Sequence, residues 1–592
     1  MDLSAIYHRS TEQMCYMLNE EEVKIHIRTG MDVERVRLVY ADPYVDAQAD
    51  PNAKDLWGNY MEMTYEKELT HQKWWTAVVR PKWKRLKYHF ELEGAGEKYV
   101  LFEEGLLLPY MTDFYGRYIT DFVLPWMNPA DLNRTPEWAA DTVWYHIFPD
   151  RFFRGSGSKA DPDIVSWREE GTVNNNERFG GNLKGITEKL KYLAHLGING
   201  IYLMPIFESA SVHHYETDSY YHIDPALGTD RDMERLVAKA HSLGMRVMMD
   251  AVFNHCGSGF APWADVLKKG RKSRYRDWFF VNEWPIKGGS DTMDGRYYTF
   301  SFFGHMPKLN TGNEEVIAYF EKVCRTWIKK YDIDGIRMDA GNEVAHYFLQ
   351  RLSRTIKKLR PDFYILNESW HDSMAWLMGD EFDAVTNYEF ATIVGAFFTV
   401  KSFGKKDFEH GYNDCFVRYM DQTNRVLFNL LDSHDTNRLM TRTGNYDVFV
   451  QELTLLLTLP GSPCIYYGTE IALEGDYDPD CRRCMPWKKI ESGEGRECFG
   501  MLRSLIRLRK EEKALRSLEY RFTKEYDEPR LLEYIRSDKK KNQIQVLLNA
   551  SENAVKIRKS VGEVLFSNGF SDGVLHPGGT LLHRVSAEQI EI

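Results

Sequence analysis

Arg337 and Asp339 stand two residues apart in YDIDGIRMDAGNE, at the end of an apolar run. Residues two apart in a strand share a face, so guanidinium and carboxylate are expected to look into one space. A neighbouring cation depresses a carboxyl pKa, and a carboxylate kept ionised is the nucleophile a retaining glycosidase needs. Other acids and imidazoles end similar runs: Asp250, Asn254 and His255 in MRVMMDAVFNH, Glu368 in FYILNES, His434 and Asp435 in VLFNLLDSHD. Each has an ordinary reading by itself, since Arg-x-Asp commonly makes a structural ion pair and NES or SHD commonly caps a helix. A lone histidine is commonly just buried and hydrogen-bonded. Their recurrence at four successive strand ends points to chemistry instead. Two carboxylates in unlike environments are the equipment of glycoside hydrolysis, where one attacks and the other delivers a proton. Arg337 is expected to keep Asp339 ionised, while Glu368, with no arginine beside it in the sequence, is expected to keep a raised pKa and act as acid, then base.

These residues need a scaffold that brings strand ends together. From about 140 to 505 the pattern alternates β and α, with strand candidates TVWYHIFP, INGIYLMPI, MRVMMDAVFNH, IDGIRMDA, FYILNES, DAVTNYEF, VLFNLLDSHD and SPCIYYGTE. Eight is the number a closed (β/α)8 barrel requires, and its chemistry belongs at the C-terminal strand ends. Amphipathic stretches lie between the strands. In DRDMERLVAKAHSLG, Asp230 is expected as N-cap, with Met233, Leu236, Val237 and Ala240 on one apolar face and Gly244 at the end. The fold class expected is α/β, a TIM barrel spanning 126–505 with an insertion at about 256–307 rich in Trp, Tyr, Phe and Gly. Before it, residues 1–125 carry short alternating runs such as EVKIHIRT and RLKYHFELE, which read as a small antiparallel β domain; after it, 506–592 returns to short strands as a C-terminal β domain.

The 592 residues, 43% apolar, are enough for several cores. A net charge of −11 argues against a nucleic-acid partner, which leaves a basic patch or stripe. No window is apolar enough for a membrane span, and the first residues lack a basic segment followed by an apolar one, so the chain reads as cytoplasmic. Eight scattered cysteines include one close pair, Cys481 and Cys484, without a second CxxC to complete a zinc site, and read as free thiols. A metal-dependent phosphohydrolase would also gather acids and histidines, but the aromatic-rich insertion favours sugar over phosphate.

DAVFNH, GIRMDAGNE, NESW and LLDSHD closely resemble the four signature regions of the α-amylase family, glycoside hydrolase family 13. MPKLN at 306–310 resembles an extra region of its neopullulanase, cyclomaltodextrinase and maltogenic amylase branch. The resemblance implies hydrolysis of α-1,4-glucosidic bonds in cyclodextrins, pullulan, maltooligosaccharides or starch, with oligo-1,6-glucosidase or transglycosylase activity as neighbouring alternatives. A non-catalytic amylase-like binding protein is the remaining one, and its usual mark, loss of the nucleophile or acid, is absent here. It implies Asp339 as nucleophile, Glu368 as general acid/base and Asp435 as the carboxylate that distorts the bound sugar. His213, Tyr215, His255, Arg337 and His434 are then expected to line one sugar subsite, with Trp370 over the leaving-group side and Asp250 and Asn254 in support. It also implies that residues 1–125 form a β-sandwich module which, in a homodimer, narrows a partner's cleft; Trp57, Tyr60, Trp74, Trp75 and Trp83 of that module would serve an interface, sugar stacking or burial in its own core equally.

Two departures stand out. Relatives often bind calcium after the first strand, but FFRGSGSKADPD places Gly155, Ser156 and Gly157 where acids are expected, and GGN ends in Asn182, so no cofactor is expected to be required. Asn367 precedes the acid where the family usually has Gly, and its side chain is expected to point away from Glu368.

Overall fold

The computed structural model describes residues 1–44, 59–108, 120–157, 162–540, 542–557 and 561–585. They cluster into two compact units, one of residues 1–134 with 402–424, the other of 135–401 with 425–592.

The first unit is built on two antiparallel sheets. One contains Cys15–Met17, Val23–Thr29, Thr64–Glu68 and Lys73–Val79; the other contains Arg35–Ala41, Asn59–Glu62, Leu86–Gly94, Glu97–Phe102, Gly105–Leu107 and Phe122–Leu124. Val23, Ile25 and Ile27 sit in the core between the sheets, as the alternation in EVKIHIRT requires. The opposite face is not solvated. Lys24 and His26 are buried, and the Lys24 ammonium reaches Glu66 at 3.0 Å and Asp421 at 3.1 Å. Residues 402–424, which the sequence reading assigns to the barrel segment, supply that cover. Met14, Leu69, Trp74 and Val417 form a second small core there. Of the aromatic cluster, Trp74 and Trp75 are therefore interior residues, Tyr60 is half-buried, Trp83 is exposed and Trp57 lies outside the described residues.

In the second unit eight parallel strands close into a barrel: Trp144–Ile147, Gly200–Leu203, Arg246–Ala251, Gly335–Met338, Tyr364–Asn367, Ala384–Asn387, Phe428–Asn429 and Ser462–Tyr466. All eight sequence candidates contribute one strand each, in order. The helix at Asp230–Ser242 buries the expected face, but its N-cap is Thr229, whose hydroxyl and the Asp232 carboxylate form a reciprocal capping box. Asp230 is the first helical residue instead and accepts a hydrogen bond from the Tyr331 hydroxyl. The 256–307 insertion follows the third strand, contains the helix Ala261–Lys269, and is closed at its base by Cys256 N–H donating to the Pro307 carbonyl at 3.1 Å. The helix Arg496–Glu511 spans the expected 505/506 boundary, and a six-stranded antiparallel sheet follows between Tyr520 and Arg584.

The barrel interior is filled by side chains. Trp144, Tyr202, Met248, Tyr364, Leu366, Phe428 and Cys464 belong to one core, with Trp144 stacked on Tyr364 at 6.0 Å and donating to Ser462 Oγ at 3.0 Å. The second strand accommodates the indole only because residue 200 is glycine, where a Cβ would lie 2.7 Å from the ring. Trp144→Ala should therefore cost about 3–5 kcal/mol of barrel stability. An unchanged urea midpoint for the barrel transition would contradict this packing.

Candidate active site

Parity and register put one polar layer at the C-terminal mouth of the barrel. Asp250 pairs in register with Arg337, and both point inward above Tyr202. Arg337 is 2% exposed, so a lone charge there would be severely destabilising. It is not alone. Its Nη1 donates to both oxygens of Asp250 at 2.9 Å and to Asp339 Oδ1 at 3.0 Å, while its Nη2 lies 3.0 Å from Glu368 Oε2. Asp250 also accepts the hydroxyls of Tyr202 at 2.6 Å and Tyr215 at 3.0 Å.

The contact to Glu368 corrects the sequence reading. Glu368 has no arginine near it in the chain, yet Arg337 serves it and Asp339 together, and the Ala340 N–H donates to the same Oε2 at 2.9 Å. One guanidinium thus faces three carboxylates. Burial pushes the Asp339 carboxyl well up from its ordinary range, Arg337 opposes, and Glu368, Asp250 and Asp435 add to the rise. The carboxylates of the mouth thus act on one another through a single guanidinium.

Asp435 is the most open acid of the group, one third exposed, and is held by His434 Nε2 at 3.2 Å and Arg482 Nη2 at 3.4 Å. Arg482 also donates from Nε to the His434 carbonyl at 2.9 Å and pairs with Asp478 at 2.7 Å. Tyr215 lies parallel to His434, with centroids 5.3 Å apart and its hydroxyl 2.7 Å from Nε2. Trp370, half exposed, stacks on Tyr388 at 3.6 Å and donates to Glu368 Oε1 at 3.3 Å. His213 accepts the Tyr215 backbone N–H on Nδ1 at 3.3 Å, which leaves Nε2 to carry the proton of the neutral ring. His255 stacks on Phe300 of the insertion at 4.8 Å, and its Nε2 finds no partner within the protein.

All nine candidate residues thus lie at the barrel mouth. Asn254 supports from the side, where Lys308 bridges it to Glu343, 2.8 Å from Glu343 Oε2. Three contributors escaped the sequence reading: Tyr202, Tyr388 and Arg482. Tyr202 was reachable by parity, being inward on the second strand. Nothing in DPDCRRCMPW separates Arg482 from Arg483, which turns instead to Asp480 at 2.6 Å.

In the described part of the loop after the first strand, the oxygens near Asn182 are already engaged. Asn182 Oδ1 caps a helix, accepting from Gly185 N–H at 2.9 Å and Gly155 N–H at 3.2 Å, and the Lys184 ammonium bonds the Ser156 carbonyl. Calcium needs a shell of oxygen ligands, and a resident ammonium repels it. Among the described residues no cluster of three or more His, Cys, Asp or Glu could hold a metal; Asp161 lies outside them.

Burial depresses His213 to about 4 and His255 to about 3, and holds His434 and His146 well below the usual imidazole value. Their folded pKa values lie below the unfolded one, so stability is full above pH about 6.5 and falls with acidification, by about 1.4 kcal/mol per pH unit per imidazole. Asp339, raised on folding, works in the opposite sense, as do Glu381 and Glu452, each pushed up to about 7 by burial. Relative to the unsubstituted chain, His255→Asn should lose less melting temperature, or gain more, on acidification from pH about 6.5 to about 5; an unchanged pH slope in the variant would refute neutral burial of this ring.

The fold and this geometry have relatives. The α-amylase catalytic domain model matches residues 146–499 and the α-amylase N-terminal Ig-like domain model residues 1–125. A cyclomaltodextrinase of Geobacillus thermopakistaniensis (strain MAS1) is 40% identical over 560 residues, 94% of this chain and 92% of that one. A maltogenic α-amylase of Bacillus acidopullulyticus is also 40% identical, over 93% of this chain and 92% of its own. A solved cyclomaltodextrinase superposes with TM-score 0.87 at 34% identity, covering 99% of this chain and 98% of that structure. The chain belongs to the α-amylase family of glycoside hydrolases, in the branch of the cyclomaltodextrinases, maltogenic amylases and neopullulanases.

Proposed function

We propose that this enzyme hydrolyses α-1,4-glucosidic bonds with retention, taking cyclodextrins, pullulan and short maltooligosaccharides in preference to starch. The observation that carries the reading is the single guanidinium shared by Asp339 and Glu368. In this reading a glucosidic oxygen seated beside a protonated Glu368 accepts its hydrogen bond, and Arg337 stabilises Asp339 as the anion. Asp339 attacks the anomeric carbon while Glu368 protonates the leaving oxygen; Glu368 then takes a proton from water as the covalent intermediate is hydrolysed. Asp435, open to the cleft and fixed by His434 and Arg482, stabilises the oxocarbenium-like transition state. Trp370 and Tyr388 form an aromatic wall beside the acid, and His213, His255 and His434 are neutral partners for sugar hydroxyls.

Oligo-1,6-glucosidase or transglycosylase activity would use the same residues, so product analysis with cyclodextrin, pullulan and maltotriose side by side is the deciding experiment. NMR of the first product should show the α-anomer, and a β-anomer would overturn retention. Asp339→Asn should block formation of a covalent intermediate, whereas Glu368→Gln should keep partial activity on glycosyl fluorides, whose leaving group needs no proton. An identical response of the two variants to fluorides would reverse the assignment. No cofactor is required in this scheme, and activity should survive EDTA; a loss that calcium restores would refute it.

The enzyme is proposed to act as a cytoplasmic homodimer. No helix among the described residues is long and apolar enough to cross a membrane, and an intracellular maltogenic amylase of Bacillus subtilis is 39% identical. Trp83 and Trp126, each about half exposed, are first-unit tryptophans available to an interface. Deleting residues 1–125 would strip the cover from 402–424, so surface substitution is the cleaner test. Light scattering should give a dimer that Trp83→Arg with Trp126→Arg weakens, and a full-length monomer at micromolar concentration would exclude it.

A further inference from the structure

Asn367 and Gly341 meet directly behind the two carboxylates of the proposed reaction. Asn367 ends the fifth barrel strand immediately before Glu368, so the two side chains leave the chain on opposite faces. It is completely buried, and neither its amide oxygen nor its amide nitrogen finds a hydrogen-bond partner. An unpaired amide in that position is costly and calls for a compensating role. Across from it, residue 341 has no side chain, and a Cβ there would lie 2.3 Å from Asn367 Oδ1 and 3.0 Å from Phe382 Cζ. Gly341 opens the short 3-10 turn Gly341–Glu343, and Ala340 before it has φ 44°, a left-handed conformation rare for a residue with a Cβ. The N–H of that same Ala340 donates to Glu368 Oε2. Contacts therefore run from Asn367 to Gly341, along the backbone to Ala340, and back to the residue that follows Asn367.

We propose that Asn367 and Gly341 form one positioning unit that seats the Ala340 amide against Glu368 and so holds the acid's carboxyl in place for proton transfer. This rests on the reading of Glu368 as acid/base. An N–H aimed at a carboxylate stabilises the ionised form. Several other groups act on Glu368. Arg337 Nη2 and Trp370 Nε1 contact its carboxylate, Asp339, Asp250 and Asp435 share the mouth with it, and Tyr202 from the second strand and Tyr388 from the helix after the sixth lie close enough to feel its charge. The Ala340 amide is the one whose position depends on the backbone packing against Asn367.

Measurements of kcat/KM on maltotriose and on α-maltosyl fluoride separate positioning from bulk structure, because only maltotriose needs a proton on its leaving group. Gly341→Ala should lower kcat/KM about 100-fold or more on maltotriose, within the range of general acid catalysis, and less than about tenfold on the fluoride. Adding Asn367→Gly removes the colliding oxygen and should return at least about tenfold on maltotriose. Asn367→Ala alone frees the turn, weakens the amide contact and should move the alkaline limb of kcat/KM to higher pH. Equal losses on both substrates, or no recovery in the double variant, would overturn the proposal, as would an unmoved alkaline limb in a folded Asn367→Ala. Failure of the acid/base reading would look different, with Glu368→Gln itself losing equally on the two substrates.

Discussion

The Arg337 guanidinium is the charge around which the barrel mouth is organised. Buried without partners it would be intolerable, and it has three, from the third, fourth and fifth strands. A planar fork with fixed donor directions spreads those carboxylates in a way a lysine ammonium would not. One positive charge faces three carboxylates, so the charge state of each bears on the other two. Electrostatics and mechanism are here the same arrangement seen before and after substrate arrives.

Elsewhere in the second unit, the structure protects that arrangement. Tyr202 and Tyr215 supply hydroxyls to Asp250, leaving the guanidinium free to reach outward. The insertion contributes from two sides: Phe300 lies against His255, and His305 pairs at 3.2 Å with Glu216, which neighbours His213. At the other end of the barrel, the helices finish in Lys329 and Lys330, Lys357 and Lys358, Arg509 and Lys510. Cations there complement the helix dipoles, so basic residues gather at the face opposite the acids even though the net charge is −11.

The first unit illustrates how alternation can mislead. Lys24 and His26 occupy the positions that a half-exposed strand gives to solvent, yet the Lys24 ammonium, Glu66 and Asp421 satisfy one another in a buried layer. Asp421 is 397 residues away from Lys24 in the chain, a separation no local pattern can bridge. Trp74 and Trp75, adjacent and of one type, fill two different cores on the two faces of one strand.

What the chain by itself determined was everything set by short-range pattern: eight apolar runs of strand length, their order, the helical stripes between them, and acids and imidazoles at the strand ends. Period and turn chemistry are local, and they sufficed to place Asp250, Arg337, Asp339, Glu368, His434 and Asp435 at one mouth. Tertiary structure decided which charges meet. Glu368 gained an arginine 31 positions earlier in the chain because barrel closure sets neighbouring strands side by side in register. Arg482 rather than Arg483 reached Asp435, and Asn367 found room only because Gly341 folds over it. Coulomb interaction and steric exclusion depend on separation in space, and that separation is known only once the chain has closed.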